Sequence, residues 1–272
     1  STRMLLSDRA INLATWRDDF DRQSVPLDWA VFTNHVHAEH LRHAVVVDCS
    51  ASEDVAARYV EWLGGGVHVV TPNKKAPSGP LAMYDQLHEV RRRHNTHFLY
   101  ETTVGAALPI IGTLRDLRET GDEVRSIEGI FSGTLAYLFN VFDGGKPFST
   151  IVREARDAGY TEPDPRDDLS GLDVARKLII LSREMGMRLE MKDLVVESLI
   201  PSGLEAGTPE DFLRGLPAHD AAMAERWSRA NAAGQVLRYV GRLDRQSGTA
   251  TVRLEALPLT HSFAHINLTD NI

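Results

Sequence analysis

Between residues 44 and 109, three apolar runs alternate with two amphipathic stretches, and this alternation restricts the fold more than any other feature of the chain. AVVVDCS (44–50) is a continuous apolar run that ends in small and polar residues, as a buried parallel strand reads toward its C-terminal end. SEDVAARYVEWL (52–63) has helical period, with Ser52 as N-cap and Gly64, Gly65 and Gly66 as its stop. VHVVTPNKK (67–75) reads as a second strand ending at Asn73 and Lys74. GPLAMYDQLHEVRRRHN (79–95) reads as a second helix, and HFLYETTVGAALP (97–109) as a third strand running into a glycine turn. Strand–helix–strand–helix–strand at this spacing predicts an α/β unit built on a partial, doubly wound parallel sheet.

Ligands of such sheets bind at the C-terminal strand ends. Three polar clusters fall there: Asp48-Cys49-Ser50, Thr71-Pro72-Asn73-Lys74 and Glu101-Thr102-Thr103. Polar residues also simply stop strands, but three such ends in succession point to a ligand site. Upstream, residues 8–20 and 27–42 read as helices on periodicity. Beyond Leu108 the pattern changes. Helices are expected over 109–122, 132–142 and 148–160, a strand over 123–132, a long polar helix over 209–234, and a hairpin of 235–244 with 249–259 across Arg245-Gln246-Ser247-Gly248. Ser132, Gly133 and Thr134 open the second of these helices, and the N–H groups of such a helix start suit a carboxylate. The division expected is 1–108 for the parallel-sheet unit and 109–272 for a second, α+β domain.

The most chemically loaded stretch is YTEPDPRDDLSGLDVARK (160–177), which places Glu162, Asp164, Asp167, Asp168 and Asp173 ahead of Arg176 and Lys177. Pro163 and Pro165 hold its first half extended or turned. Its second half starts a helix that Asp167, Asp168 or Ser170 caps. Asp173 and Lys177 are four apart and share one helix face, with the acid N-terminal. A solvated salt bridge would look the same. The otherwise apolar helix around the pair (Leu172, Val174, Ala175, Leu178, Ile179, Ile180, Leu181) favours a functional one.

Thirty basic against 38 acidic residues give a net charge of −8, which argues against a nucleic-acid or anionic-membrane partner. The single cysteine, Cys49, excludes an intrachain disulfide and a cysteine-built zinc cluster, and fits a reducing, cytoplasmic setting. Cys49 reads as a small buried residue at a strand end. His35, His37, His40 and His43 lack a clean i,i+4 metal pair and read as surface residues. No apolar run approaches the roughly 20 residues of a membrane span.

The 160–177 stretch resembles the signature of the homoserine dehydrogenase family, most closely that of the dehydrogenase portion of bifunctional aspartokinase–homoserine dehydrogenases. The similarity runs from about Leu13 to Gly241 and then weakens. The resemblance implies a Rossmann-like nucleotide domain followed by a catalytic and dimerisation domain, acting as a homodimer or higher homo-oligomer. It also implies NADPH- or NADH-dependent reduction of the small molecule aspartate 4-semialdehyde to homoserine, on the way to threonine, methionine and isoleucine. Lys177 would protonate the nascent alkoxide, and Lys74 would polarise the carbonyl beside the nicotinamide. Glu162 and Asp173 would hold the substrate's amino and hydroxyl groups, and Asp168 matches an acid of the same substrate site. Tyr160, Gly133 and Thr134 would take its carboxylate. Ser50 and Ala51 would contact the nicotinamide ribose, Ala51 standing where a hydroxyl residue is common, and Arg3 would meet a 2′-phosphate and favour NADP. ETTVGAALP resembles the family's monovalent-cation loop, with sodium held by Glu101 and the carbonyls of Val104, Ala106 and Leu108. Ala107 stands there in place of a frequent glycine.

The family's G-x-G-x-x-G loop, which admits a pyrophosphate to a helix start, does not occur in these residues. The resemblance places it ahead of Ser1 and a closing helix beyond Ile272, so this chain by itself is expected to bind NADPH weakly. The competing expectation is a non-catalytic scaffold or dimerisation fragment of the same fold. An aldehyde dehydrogenase working through a thioester would need an activated cysteine. Cys49 has neither a helix start nor a neighbouring base in sequence.

Overall fold

The computed structural model describes residues 2–37, 43–106 and 108–266. The chain forms two compact units. One comprises residues up to Ala76 with Ala82–Tyr100; the other comprises Pro77–Leu81 with the chain from Glu101 onward.

The first unit opens on a two-stranded antiparallel pair, β1 (Arg3–Met4) and β2 (Val25–Pro26), with α1 (Trp16–Gln23) between them. The helix expected over 8–20 starts only at Trp16, because Thr15 turns back onto the Asn12 carbonyl just before it. α2 (Trp29–Val36) is capped by Asp28, whose carboxylate accepts from the Ala30 and Val31 N–H groups. His40 of the histidine cluster lies outside the described residues. His43 stacks on His68, which in turn packs against His97 with ring centroids 5.0 Å apart.

The parallel sheet follows: β3 (Ala44–Val47), then α3 (Glu53–Ala56) and α4 (Tyr59–Gly64), then β4 (Val67–Val70), α5 (Leu81–His94) and β5 (Phe98–Leu99). Its order is β3-β4-β5, all parallel. Central β4 buries Val67 and Val69 completely on one face, while His68 and Val70 on the other are half-buried. β3 is an edge, and its Val45 and Val47 are exposed. Two expectations need correction here. The helix over 52–63 is broken at Ala57–Arg58, although Ser52 caps it as foreseen. The second piece is anchored by the Tyr59 hydroxyl, which reaches Asp48 and Thr71 at the strand ends, while Trp62 and Leu63 fill the core. The third strand is only two residues long before the chain coils into a 3-10 turn at Glu101–Thr103.

The second unit is α+β. Its elements are α6 (Ile110–Glu119), β6 (Ser126–Gly129), α7 (Gly133–Val141), α8 (Phe148–Asp157), α9 (Pro165–Leu169), α10 (Leu172–Glu184), β7 (Val195–Val196), α11 (Pro209–Gly215), α12 (Asp220–Ala232), β8 (Gln235–Asp244) and β9 (Thr249–Pro258). The sheet order is β6-β8-β9-β7, with the β8–β9 hairpin at its centre. α10 is buried nearly all round, from Val174 to Glu184. Its two buried charges are met: Glu184 takes a bidentate pair from Arg115, and Arg183 donates to the carbonyls of Pro77, Gly79 and Leu189. Paired in this way, buried charges are tolerated. In β8, buried Arg238 similarly donates to the carbonyls of Phe139, Leu237, Phe263 and Ala264.

The helix expected over 209–234 is divided into α11, a 3-10 turn at Leu216–His219, and α12. Pro217 sits where a helix interior would need its N–H. The acidic stretch contains a short helix, α9, that was expected to be loop. Pro165 takes its first position, where a missing N–H costs nothing, and Asp164 caps it. α10 is then entered through Gly171, in the left-handed region at φ 71°; of Asp167, Asp168 and Ser170 only Ser170 serves the helix start, its Oγ accepting the Leu172 N–H at 3.2 Å. Among the described residues no helix is long and apolar enough to cross a membrane.

Candidate active site

In the second unit, the start of α10 pairs one lysine with Asp173, and the chain before it sets Asp168 among the charges of Glu162 and Asp173. Lys177 is on the second turn of α10, its side chain only 14% exposed. Its ammonium donates to the Phe131 carbonyl at 2.6 Å and pairs with Asp173 at 3.0 Å, one turn back on the same face. A lysine ammonium has three donors, so two are fixed by the protein.

Asp168 lies at the end of α9. Its Oδ2 accepts the Glu162 N–H at 2.8 Å, which folds the acidic loop back on itself. Burial holds the Asp168 carboxyl above the usual range, and the neighbouring charges of Glu162 and Asp173 push the same way. The Glu162 N–H and the Thr134 hydroxyl oppose this but do not overcome it. Glu162 itself is exposed. Thr134, on the first turn of α7, donates to the Tyr160 carbonyl at 2.8 Å, and the Tyr160 ring packs on Tyr137. Ser132 caps α7 through the Leu135 N–H. Nothing among the described residues accepts from the N–H groups of Gly133 and Thr134, which leaves the helix start able to receive an anion. Asp164 and Arg166 serve structure instead. Arg166 closes a fork on Asp164 and reaches the carbonyls of Glu205 and Gly207.

Glu101 belongs to this unit as well. Its two carboxylate oxygens accept the N–H groups of Ile111 and Gly112, so it crowns the start of α6. The Leu108 carbonyl accepts from Ile110. Val104 is buried, and Ala106 borders Ala107, which lies outside the described residues. Among the described residues no group of three or more His, Cys, Asp or Glu side chains is arranged to hold a metal ion.

In the first unit, the strand ends enclose a buried network that the sequence displayed only as polar clusters. Asp48 is 6% exposed. Its carboxylate accepts from the Tyr59 hydroxyl, from Asn73 Nδ2 at 3.0 Å and from the Ser50 N–H at 2.7 Å. Thr71 Oγ1 donates to the Asp48 carbonyl, and Asn73 also reaches the Ser52 carbonyl. Burial pushes the Asp48 carboxyl up, but the hydrogen bonds from Tyr59, Ser50 and Asn73 outweigh it and hold the group below its ordinary value. Asp48, Thr71 and Asn73 therefore fix the loops that carry Ser50 and half-buried Lys74. Because Asp48 takes the inward position, Cys49 turns outward and is exposed, correcting its expected burial.

Beside this network lies a cavity of about 550 Å³ lined by Arg3, Leu27, Trp29, Val47, Asp48 and Ser50, among others. Its guanidinium and hydroxyl stand above apolar walls, a lining that suits a nucleotide. Arg3 is braced by the carbonyls of Asp21 and Ser24. Ala51 is exposed on the loop next to Ser50.

Comparison with known proteins agrees with this division. Residues 2–101 match the family model described as the NAD binding domain of homoserine dehydrogenase, and residues 109–272 the model described as homoserine dehydrogenase. The chain is 50% identical, over its whole length, to the bifunctional aspartokinase/homoserine dehydrogenase 2, chloroplastic, of Zea mays, and spans 30% of that protein. It is 44% identical over 84% of its length to the homoserine dehydrogenase of Schizosaccharomyces pombe, spanning 63% of it. A solved Candida auris protein of unknown function superposes with a TM-score of 0.90 at 36% identity, over 99% of this chain and 77% of that one. With both of its units matched, and the second alone covering more than half of the sequence, the chain belongs to the homoserine dehydrogenase family.

Proposed function

We propose that this chain is the dehydrogenase segment of a bifunctional aspartokinase–homoserine dehydrogenase, interconverting aspartate 4-semialdehyde and L-homoserine with NADPH or NADH. The observation that carries the reading is the Lys177 ammonium, nearly buried and seated on a backbone carbonyl and on Asp173, itself one of three mutually repelling acids. Such a cluster is costly for the folded chain by itself, and a substrate ammonium would relieve it. Glu162, Asp168 and Asp173 would hold that ammonium, while the α7 start at Gly133 and Thr134, with Tyr160 alongside, would take the carboxylate. Lys177 would give its third proton to the alkoxide oxygen as the aldehyde carbon is reduced. The amine left behind has two N–H groups for its two fixed acceptors, and a lone pair that takes the proton back in the reverse direction.

A bound nicotinamide nucleotide supplies the hydride. In the first unit Ser50, Ala51 and Lys74 would hold its nicotinamide side, and Arg3 a 2′-phosphate, which favours NADP. This assigns the first unit, whose chain ends at Tyr100 and not at the expected residue 108, to nucleotide binding, and the second unit to catalysis and dimerisation. A sodium ion at Glu101 and the carbonyls of Val104, Ala106 and Leu108 would share a carboxylate already engaged by α6; oxygen ligands suit a hard cation. The single cysteine fits action in a reducing compartment such as the cytoplasm.

The test is NADPH oxidation with aspartate 4-semialdehyde. Lys177→Met should lower kcat by about 10²–10⁴-fold, the usual contribution of a positioned acid, with an unchanged melting temperature. A folded Lys177→Met enzyme with wild-type kcat would show that another group carries the proton.

A further inference from the structure

We infer that Phe131 is a positioning residue for Lys177, held in place by a platform of two glycines. The inference rests on the proposed role of Lys177. The Phe131 carbonyl is the neutral acceptor of the Lys177 ammonium, at 2.6 Å. Phe131 follows the end of β6, where Gly129 pairs with Gly241 of β8. A Cβ added at Gly129 would stand 2.6 Å from Phe131 Cζ, and one at Gly241 would stand 2.9 Å from Phe131 Cδ2 and 3.2 Å from Leu178 Cδ2. The ring therefore rests on the bare backbone of both strands, where no side chain other than glycine's leaves room. Leu178, the residue after Lys177, is fully buried and meets Gly241 of this pair.

One platform thus seats the residue that carries the acceptor and the neighbour of the donor. Neither glycine has a positive φ, so close approach and not backbone conformation explains the absence of side chains at this cross-strand pair. The arrangement decides which of the three ammonium protons is transferable. With the Phe131 carbonyl and Asp173 each fixing one, only the third can point at substrate. If the ring shifts, the carbonyl shifts with it, the ammonium regains rotational freedom, and proton delivery loses its direction. A misplacement of about 1 Å at a reacting group costs on the order of 10²-fold in rate.

The experiment is a double-variant cycle in the full chain, with Gly129→Ala, Phe131→Leu and the pair together. The three atoms nearest a Cβ at Gly129 are the far ring atoms Cζ, Cε2 and Cε1, which leucine lacks, so the double variant removes the closest contacts. Each single variant should lower kcat about tenfold or more with KM for aspartate 4-semialdehyde within about twofold, and should raise the solvent deuterium isotope effect on kcat. The double variant should recover most of the rate. Should Gly129→Ala fail to fold, Phe131→Leu against the double variant supplies the same comparison. Singles that keep wild-type kcat, or losses that simply add in the double variant, overturn the inference. Crystal structures separate it from the proposed function. A Gly129→Ala structure in which Lys177 Nζ stays on the Phe131 carbonyl refutes the platform, whatever reaction the enzyme performs. Lys177→Met with full activity refutes the role of Lys177 and leaves the positional result standing.

Discussion

Gly171→Ala should be among the costliest single-methyl additions in this chain. Gly171 enters α10 at φ 71°, a conformation that costs an L-residue roughly 1–2 kcal/mol. An added Cβ there would also run into the Tyr239 hydroxyl and come within 3.3 Å of Val196 Cγ1. Neither neighbour can retreat. Tyr239 is 2% exposed and its hydroxyl donates to the Glu197 carbonyl at 2.5 Å, while Val196 belongs to β7. Overpacking of this kind costs about 1–3 kcal/mol, which brings the expected total to about 2–5 kcal/mol. Gly159 isolates the backbone part. Its φ is 75° and nothing lies within 4 Å of a Cβ built there, so Gly159→Ala should cost only about 1–2 kcal/mol. The entropy that alanine removes from the unfolded chain is common to both variants and cancels. Urea unfolding of the two, read by circular dichroism, gives the difference. Adding Tyr239→Phe to Gly171→Ala should recover part of the crowding cost. Equal destabilisation by the two alanines would mean that Tyr239 does not hold the entry to α10, and the geometry argued for Asp173 and Lys177 would lose its support.

Three further outcomes are expected. The Asp168 carboxyl is held above its ordinary value, so the folded chain keeps that proton to a higher pH than the unfolded one and loses stability as pH rises from about 4 toward 7. Asp168→Asn should therefore gain stability relative to wild type over that window while KM rises, and urea midpoints at the two pH values check it. His68 is held below its ordinary value by burial and by His97 and His43, so the unfolded chain binds the proton first. Stability should fall as pH drops below about 6.5, and His68→Asn should flatten the dependence of melting temperature on pH. Glu101→Ala should cost about 0.5–2 kcal/mol by stripping the carboxylate from the start of α6. It should also abolish any rise in melting temperature that sodium gives the wild type over an equal concentration of a bulky organic cation.

What the sequence disclosed, it disclosed through local period and composition. The β8–β9 hairpin was legible because apolar alternation flanks a polar turn ending in Gly248, and the parallel strands because short apolar runs stop at polar residues. The acid-rich approach to α10 and the Asp173–Lys177 pair were legible as spacing on one helix face. The rest depends on partners far along the chain. Nothing near Ala57 announces a helix break, since the anchor for Tyr59 is Asp48, eleven residues earlier and on another element. Pro217 did announce the division of residues 209–234, and the periodic alanines around it concealed that signal. Phe131 left no local trace, because its role rests on a glycine pair assembled from strands more than a hundred residues apart. A pair of glycines flanking one large aromatic residue is the signal that points to it, once the strand pairing is known.

Asp48 and Asp168 show how the same side chain separates into two kinds of work. Asp48 follows β3, Asp168 sits in the last turn of α9, and both are shielded from water. Asp48 gathers donors from Tyr59, Asn73 and Ser50, enough to outweigh its burial, and its carboxyl is held down. It needs nothing from outside, which is the condition of a strut, and removing it should loosen the loops of Ser50 and Asn73. Asp168 receives the Glu162 N–H, faces two more acids, and its carboxyl is held up. Lys177 does not discharge the cluster, because it brings one positive charge, paired with Asp173, against three acids. The excess negative charge that remains is a deficit the protein leaves in place. A ligand bearing an ammonium on one end and a carboxylate on the other, the latter for the open start of α7, is the species whose binding removes it.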